Sequence, residues 1–300
     1  MKKACQVDMP FIYVLNSILL NTFYWRVIKM NIIKDRFKDS VMIVTGAAGG
    51  IGKAIALRAA KEGAKLVLAD RKVEMSKSTL DEIKAITDDV EFLVLDLSKA
   101  ENCRRVTEVA KDKFGGLDIL INNAGIMGNP APVHKITEKE FRNVFDCIVM
   151  TAFHMSHFGI NLMLEGNKGG AIVNTSSVAG LVGFPGHSAY VTAKHALNGL
   201  TRNMALDYAK NGIRVNAINP GVTDTPMYHE ALDYLKRKKE AAEKAGIKLQ
   251  GGIVSGKTTS PQNRVALAQA VADVCLFLAS NEASNVTGIV MPVDGGFTAY

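Results

Sequence analysis

Val41-Met42-Ile43-Val44-Thr45-Gly46-Ala47-Ala48-Gly49-Gly50-Ile51-Gly52 decides the fold of this chain. Its first five residues are apolar or β-branched and carry no charge, the composition of a strand buried on both faces of a parallel sheet. Gly46 then ends the strand in a tight turn. From Ile51 to Glu62 a helix is expected, because Ile51, Ala54, Ile55, Leu57 and Arg58 recur on a 3.6-residue period and Gly63 supplies a stop. Gly46 lets the backbone turn, Gly50 lets it approach a pyrophosphate and Gly52 allows close helix packing, while the helix N-terminus attracts phosphate. The alternative is a strand-to-helix turn that is glycine-rich for packing alone.

Asp70 favours the nucleotide reading. It closes a second apolar run, Lys65-Leu66-Val67-Leu68-Ala69, where a carboxylate can accept hydrogen bonds from an adenosine ribose. That charge repels a 2'-phosphate, and Gly49 offers no basic side chain to hold one, so NAD is favoured over NADP. Arg71 works the other way, since a guanidinium beside the ribose could turn toward a phosphate. Further strands are expected at Phe92 to Leu95, ending at Asp96, and at Asp118 to Ile121, ending in Asn122-Asn123-Ala124-Gly125. Strands alternating with helical stretches make a parallel sheet covered on both faces.

The chemistry is carried by Tyr190 and Lys194, four residues apart in SAYVTAKHALNGL and downstream of Ser177. At that spacing on a helix they share one face, so an ammonium can lie beside a phenol. An unperturbed phenol titrates at about 10, too high for free proton exchange at neutral pH. A neighbouring cation favours the phenolate, which suits proton transfer to or from a carbinol or carbonyl oxygen. Tyr190 is therefore the expected general acid/base. A Tyr/Lys pair on a solvated helix face is the bland alternative, which the surrounding motifs weaken.

Together these residues resemble the short-chain dehydrogenase/reductase family, from roughly Phe37 to the C-terminus. The marks occur in order: TGAAGGIG, Asp70, Asp96, NNAG at 122–125, Ser177 in NTSSVAG, Tyr190 with Lys194, Asn219-Pro220-Gly221 with Thr225, and PVDGGF. The resemblance implies one Rossmann-type doubly wound α/β domain, with a seven-stranded parallel sheet completed by Ile213 to Ile218 and Ile289 to Val293. It assigns catalysis to Ser177, Tyr190 and Lys194: a hydrogen bond to the substrate oxygen, proton exchange, and depression of the tyrosine pKa together with a hold on the nicotinamide ribose. It assigns cofactor contacts to Thr45, Gly46, Gly50, Ile51, Gly52, Asp70, Arg71, Asp96, Leu97, Asn123, Ala124, Gly125, Tyr190, Lys194, Pro220, Gly221, Val222, Thr223 and Thr225. Within that set Asp96 would contact adenine, Asn123 would shape the cleft, and Val222 to Thr225 would hold the carboxamide. The family is usually dimeric or tetrameric through the helices after NNAG and around Tyr190, so a homo-oligomer is expected.

One position departs from the family. A stretch resembling FDVNVKG usually follows NNAG, and its asparagine supports a water that relays protons to the lysine; here the stretch is FDCIVMT and the position is Ile148. Isoleucine cannot hydrogen-bond, so a slower proton step is expected. Ile148 as simple helix-packing core is a compatible reading.

Composition bounds the rest. Three hundred residues, 48% of them hydrophobic, suffice for one large α/β core. Cys5, Cys103, Cys147 and Cys275 show no metal-ligand spacing, which suits reduced thiols, no metal and a cytoplasmic location. Of the formal charge of +7, more than half lies before Asp39. No nucleic-acid partner is expected from the remainder. Residues 1–36 read as an extension that need not belong to the native fold. Phe11 to Trp25 is apolar after Lys2 and Lys3 but is interrupted by Asn16, Ser17, Asn21 and Thr22, and is shorter than the roughly 20 residues of a spanning helix. Translation from Met30 is the simpler account, a membrane-associated arm the other, and no membrane partner is expected.

Residues 37–300 then form the catalytic domain, with a substrate lid at about 226–264. The lid reads as a helix through the charged run Leu235-Lys236-Arg237-Lys238-Lys239-Glu240, followed by a mobile loop through Gly246 and Gln250-Gly251-Gly252. Its lysines suit a solvated helix face better than an anion site. Met127, Val178, Leu181, Val182, Phe184, Met227 and Tyr228 are expected to line an apolar pocket for a hydrophobic alcohol or ketone such as a steroid or bile acid. His187 is a loop histidine, read as surface or packing before catalysis. Three functions remain open at this point: an NAD-dependent oxidoreductase for secondary alcohols and ketones, a 3-oxoacyl-thioester ketoreductase, and a non-catalytic dinucleotide sensor.

Overall fold

Alternation within each strand divides the hydrophobic residues between two layers. In a computed structural model of the chain, described over residues 32–244 and 260–299, the opening run forms strand β1, Val41–Thr45, buried along its whole length. Met42 and Val44 face one side of the sheet, and Val41 and Ile43 the other. The expectations for residues 1–29, Met30, Cys5 and the glycine-rich lid loop lie outside the described residues.

Strands β2 (Lys65–Asp70), β3 (Val90–Val94), β4 (Ile119–Asn122), β5 (Gly170–Thr175) and β6 (Ile213–Pro220) follow, then two-residue strands β7 (Thr223–Asp224) and β8 (Ala266–Leu267), and finally β9 (Val290–Val293). Seven of them make one sheet in the order β3-β2-β1-β4-β5-β6-β9, with every pairing parallel. β7 and β8 pair separately. Helices α1 (Gly50–Lys61), α2 (Val73–Lys84), α3 (Ala100–Phe114), α4 (Glu138–Phe145), α5 (Thr151–Gly166), α6 (Ser188–Tyr208), α7 (Pro226–Lys244) and α8 (Ala268–Ala279) connect them. Ile55, Ala59, Val271 and Leu276 of α1 and α8 cover one face, and Cys103, Val106, Met155, Met163 and Met204 of α3, α5 and α6 cover the other. Each fully buried leucine or isoleucine contributes about 1.5–3 kcal/mol relative to exposure.

The strand edges differ slightly from the pattern-based ones. β4 begins at Ile119, because the Asp118 carboxylate accepts a hydrogen bond from the Val41 N–H at 2.7 Å and anchors the foot of β1. β6 runs on to Pro220, carried by its pairing with β9. From β1 the sheet grows outward in both directions, so a crevice opens between the carboxyl ends of β1 and β4.

Between α4 and α5 the helix widens into a π-turn, Asp146–Met150. The Thr151 hydroxyl donates to the Asp146 carbonyl at 3.1 Å, an oxygen five residues back that the widened turn presents. The helical stretch Glu138–Gly166 is, among the described residues, the one long and apolar enough to cross a membrane; half of that apolar window is buried within the fold.

Candidate active site

The glycine-rich turn is locked from two directions. Asn123 Nδ2 donates to the carbonyls of Thr45 and Gly46, at 3.1 Å each, and the N–H groups of Asn123 and Ala124 donate to Thr45 Oγ1 at 3.0 and 3.1 Å. Thr45 and Asn123 thus fasten the end of β1 to the end of β4. A Cβ on Gly52 would lie 2.2 Å from the Gly46 carbonyl oxygen, and one on Gly46 would lie 2.9 Å from Ala124 Cα. Gly50 has φ of +56°, and a Cβ there would meet Thr225 at 3.0 Å.

Gly49 caps α1 with no side-chain hydrogen bond, so the helix opens onto the crevice with its N–H groups uncapped. Such an end fits a pyrophosphate, and the cradle is one that side chains would fill. Asp70 closes this region: Oδ2 accepts from Ala48 N at 3.0 Å, while Oδ1 accepts from Arg71 N and Lys72 N at 2.7 and 3.0 Å. Its carboxylate is thereby held against the glycine-rich turn.

Asp96 lies beyond the end of β3. Its carboxyl is held below the usual range by the Ser98 hydroxyl bond at 2.8 Å, by the Ser98 N–H and by the nearby Arg71 guanidinium, against the opposing effect of burial. The Leu97 side chain is core, and its carbonyl accepts from Cys103 Sγ and Thr151 Oγ1. At the other end of the crevice the Thr223 hydroxyl donates to the Gly221 carbonyl and the Thr225 hydroxyl to the Thr223 carbonyl. Thr225 Oγ1 also caps α7 by accepting from Tyr228 N at 3.3 Å, just ahead of Pro226 at the first helical position. Both threonine hydroxyls are therefore engaged in building the turn. Val222 gives its carbonyl to Ala266 N, and Gly221 N donates to Val293 O below Pro220.

Ser177 follows β5 and Tyr190 sits in the first turn of α6, near enough for the serine hydroxyl to act on the phenol. Asn219 Nδ2 donates to the Ser177 carbonyl at 2.6 Å and fixes the serine backbone from β6. Burial pushes the Tyr190 phenol above its ordinary value, and the Ser177 hydroxyl pulls it down. The expected lowering by Lys194 is not what sets the phenol here: Lys194 Nζ lies 5.5 Å from the Tyr190 ring centre and donates instead to the Thr175 carbonyl at 2.7 Å. Burial brings the Lys194 amine down to about 7.

Ile148 is buried in an apolar cluster with Val144, Ala152, Ala193 and Leu197. Its Cγ1 would stand 3.3 Å, and Lys194 Nζ 3.8 Å, from a Cβ placed on Gly125. The residue at the family's asparagine position is therefore core, and it sits in the π-turn beside the lysine.

Of the seven residues expected to line an apolar pocket, Met127 borders a cavity of about 180 Å³ beside Tyr190, bounded also by Ile136, Glu140, Asn143, His187 and Ser188. Val178 is instead buried, and Val182 is exposed. Phe184 stacks on Phe297, with ring centres 5.9 Å apart. Thr175 and Asn143 were not singled out by the sequence, because a backbone acceptor and a cavity wall leave no residue-type signature. No group of three or more His, Cys, Asp or Glu able to hold a metal occurs among the described residues.

A doubly wound sheet with a glycine cradle at its switch point and a Ser/Tyr/Lys constellation beside it defines a nicotinamide-dependent oxidoreductase. The short chain dehydrogenase family model matches residues 40–235, and the chain belongs to that family. It is 38% identical to a 3beta-hydroxysteroid dehydrogenase of Mediterraneibacter gnavus, over 89% of this chain and 98% of that protein. It is 35% identical to a cyclohexanol dehydrogenase of an Acinetobacter species, again over 89% and 98%. The crystal structure of levodione reductase superposes with a TM-score of 0.79 at 35% identity, covering 88% of this chain and 99% of that one. The chain is an oxidoreductase acting on CH–OH groups, of a family that uses nicotinamide cofactors.

Proposed function

We propose that this enzyme interconverts a hydrophobic cyclic secondary alcohol and its ketone with NAD. The observation that carries the reading is the convergence of three side chains: Ser177, whose hydroxyl lowers the Tyr190 phenol, Tyr190 itself, and Lys194 with its Nζ 5.5 Å from the Tyr190 ring centre. When bound, the nicotinamide supplies the acceptor or donor of the hydride. Ser177 orients the substrate oxygen, and Tyr190 Oη takes the hydroxyl proton in oxidation or returns it in reduction. Lys194, held on the Thr175 carbonyl, would hold the nicotinamide ribose.

NAD over NADP is supported by Asp70. Its carboxylate lies against Ala48 of the phosphate turn, where it accepts from a ribose and repels a 2'-phosphate. Arg71 adds its charge toward Asp96, which weakens the case for a phosphate beside the ribose. A cyclic substrate is supported by the relatives that act on hydroxysteroids and cyclohexanol. Free thiols at Cys103, Cys147 and Cys275 suit a cytoplasmic enzyme. Phe153, exposed on α5 and stacked with His157, suits a face shared with a second copy. Residues 37–300 would make the catalytic domain, with α7 as the helical part of the lid.

Initial rates of reduced-cofactor formation with NAD or NADP, across steroid, bile-acid and cyclohexanol-type alcohols, test the proposal. Turnover with NAD on cyclic alcohols is the expected result. Preference for NADP would overturn the role given to Asp70, and silence across the panel despite NAD binding would leave a non-catalytic binder.

A further inference from the structure

The segment between Ser177 and Tyr190 is fixed at its ends and open in its middle. Val178 and Ala179 after the serine and Ala189 before the tyrosine are buried, and Asn198 Nδ2 of α6 donates to the Gly180 carbonyl at 2.8 Å. Val182, Gly183 and Pro185 are exposed. Phe184 stands among them, midway between the two reacting residues, and is half-buried. The ring of Phe297 stacks on it, with centres 5.9 Å apart and planes 23° apart, a geometry that aromatic pairs favour.

The PVDGGF ending supplies that second ring. Asp294 follows β9, and its carboxylate accepts from the Gly296 N–H at 2.9 Å and from the N–H and hydroxyl of Thr298 at 2.9 and 2.6 Å. Burial alone would raise this carboxyl, but the bonds from Thr298 and the neighbouring N–H groups hold it below its usual range. The turn therefore closes on a fixed anion. Gly295 and Gly296, with φ of +63° and +89°, let the chain curl around it.

Two other segments anchor this turn. Ser260 Oγ and the Gln262 N–H, ahead of β8, donate to the Gly295 carbonyl at 3.2 and 3.3 Å. At the end of β6 the Gly221 N–H donates to the Val293 carbonyl at 3.1 Å, so closely packed that a Cβ on Gly221 would lie 3.0 Å from Asp294 Cα. Phe297 is thus carried on a base tied to β6 and β8, and it reaches from there to the one aromatic residue in the middle of the Ser177–Tyr190 segment.

We propose that Phe297 is a positioning residue for the substrate: acting through Phe184, it sets the middle of the segment whose ends carry Ser177 and Tyr190, and with it the wall that a fused-ring alcohol meets beyond its reacting ring. The inference rests on the cyclic-alcohol reading above and adds that fused rings are selected over single ones. The ends of the segment serve the reacting oxygen, so its middle serves what lies farther out on the substrate. A single ring held at Tyr190 does not depend on that wall. A stacked aromatic pair offers a fused system a broad apolar face, and its displacement costs binding and alignment of the larger substrate alone.

The test measures kcat and KM for a 3-hydroxysteroid and for cyclohexanol in the wild type, Phe297→Ala, Phe297→Leu, Phe297→Tyr, Phe184→Ala and the double variant Phe184→Ala/Phe297→Leu, with NAD affinity and melting temperature alongside. Phe297→Leu keeps apolar volume without the stack, and so serves if Phe297→Ala does not fold. The wild type is expected to prefer the steroid in kcat/KM. Phe297→Ala and Phe297→Leu should raise KM for the steroid about tenfold and leave cyclohexanol kinetics and NAD affinity within about twofold. Phe297→Tyr, which keeps the ring, should match the wild type. Phe184→Ala should reproduce the loss, and the double variant should lose no more than either single one, because the two rings act as a unit. Equal losses on both alcohols with a lowered melting temperature would show a merely structural role and overturn the proposal. Additive losses in the double variant would overturn the route through Phe184, and a wild-type preference for cyclohexanol would overturn the fused-ring assignment. Absence of wild-type turnover with both alcohols would overturn the cyclic-alcohol reading and the inference with it.

Discussion

Lys194 Nζ donates to the carbonyl oxygen of Thr175 across 2.7 Å, so that the end of β5 holds the amine in a buried position behind Tyr190. A parallel strand leaves its last carbonyls unpaired at its carboxyl edge, and here one of them takes the place of an aqueous shell. The amine is poised near 7.

Lys194→Met tests that burial through stability. The amine falls from 10.5 to about 7 on folding, so the unfolded chain binds more protons between those values and stability rises with pH across that window. The penalty of burying the charge is fully present below about 7 and gone above about 10.5. Within that window stability climbs by roughly 1.4 kcal/mol for each step of one in pH. The melting temperature of the variant relative to wild type should therefore be most favourable at a pH of about 6.5 and decline toward a pH of about 10, measured without cofactor. A difference independent of pH would show that the lysine is not desolvated.

Tyr190→Phe removes the proton-exchanging oxygen and leaves the ring in its apolar cluster. Turnover should fall by about 10²- to 10⁴-fold while NAD still binds, as measured by initial rates and calorimetric titration. In the wild type, kcat/KM for alcohol oxidation should rise with pH until the phenol is ionised, because burial raises that group and oxidation needs its base form.

Ile148→Asn has opposed effects on stability and rate. The amide would enter the cluster of Val144, Ala152, Ala193 and Leu197 and cost about 1–3 kcal/mol, read as a lower melting temperature. It would also set a hydrogen-bonding group beside Lys194, so the solvent isotope effect on kcat should shrink. A variant that loses stability with an unchanged isotope effect would assign Ile148 to packing alone.

Gly52→Ala drives a methyl into the Gly46 carbonyl oxygen, at 2.2 Å before relaxation. The neighbour is backbone and cannot swing away, so the turn must deform at a cost of about 1–3 kcal/mol or more. NAD affinity should fall at least tenfold in titration, whereas Gly116→Ala, at a position with open space around it, should leave affinity unchanged.

The sequence by itself determined the layered α/β architecture and the glycine-rich turn, and it singled out Ser177, Tyr190 and Lys194 as candidates. These are local signals: strand and helix periodicities differ, glycine alone accepts the tight turn, and the Tyr/Lys spacing fixes one helix face. The lid helix was expected through the charged run Leu235 to Glu240, and the structure begins it earlier, at Pro226, behind the Thr225 cap. Only the tertiary structure decided what those residues touch. Lys194 reaches a carbonyl nineteen positions away on another element, Asp70 bonds Ala48 across the turn, and Ile148 fills a cluster drawn from α4, α5 and α6. The cavity beside Tyr190 followed the same rule, because Asn143 and Ser188 border it from two separate helices. Backbone acceptors carry no residue code, and burial depends on partners remote in the chain, so hydrogen-bond partners and pKa directions emerge only when the chain has folded.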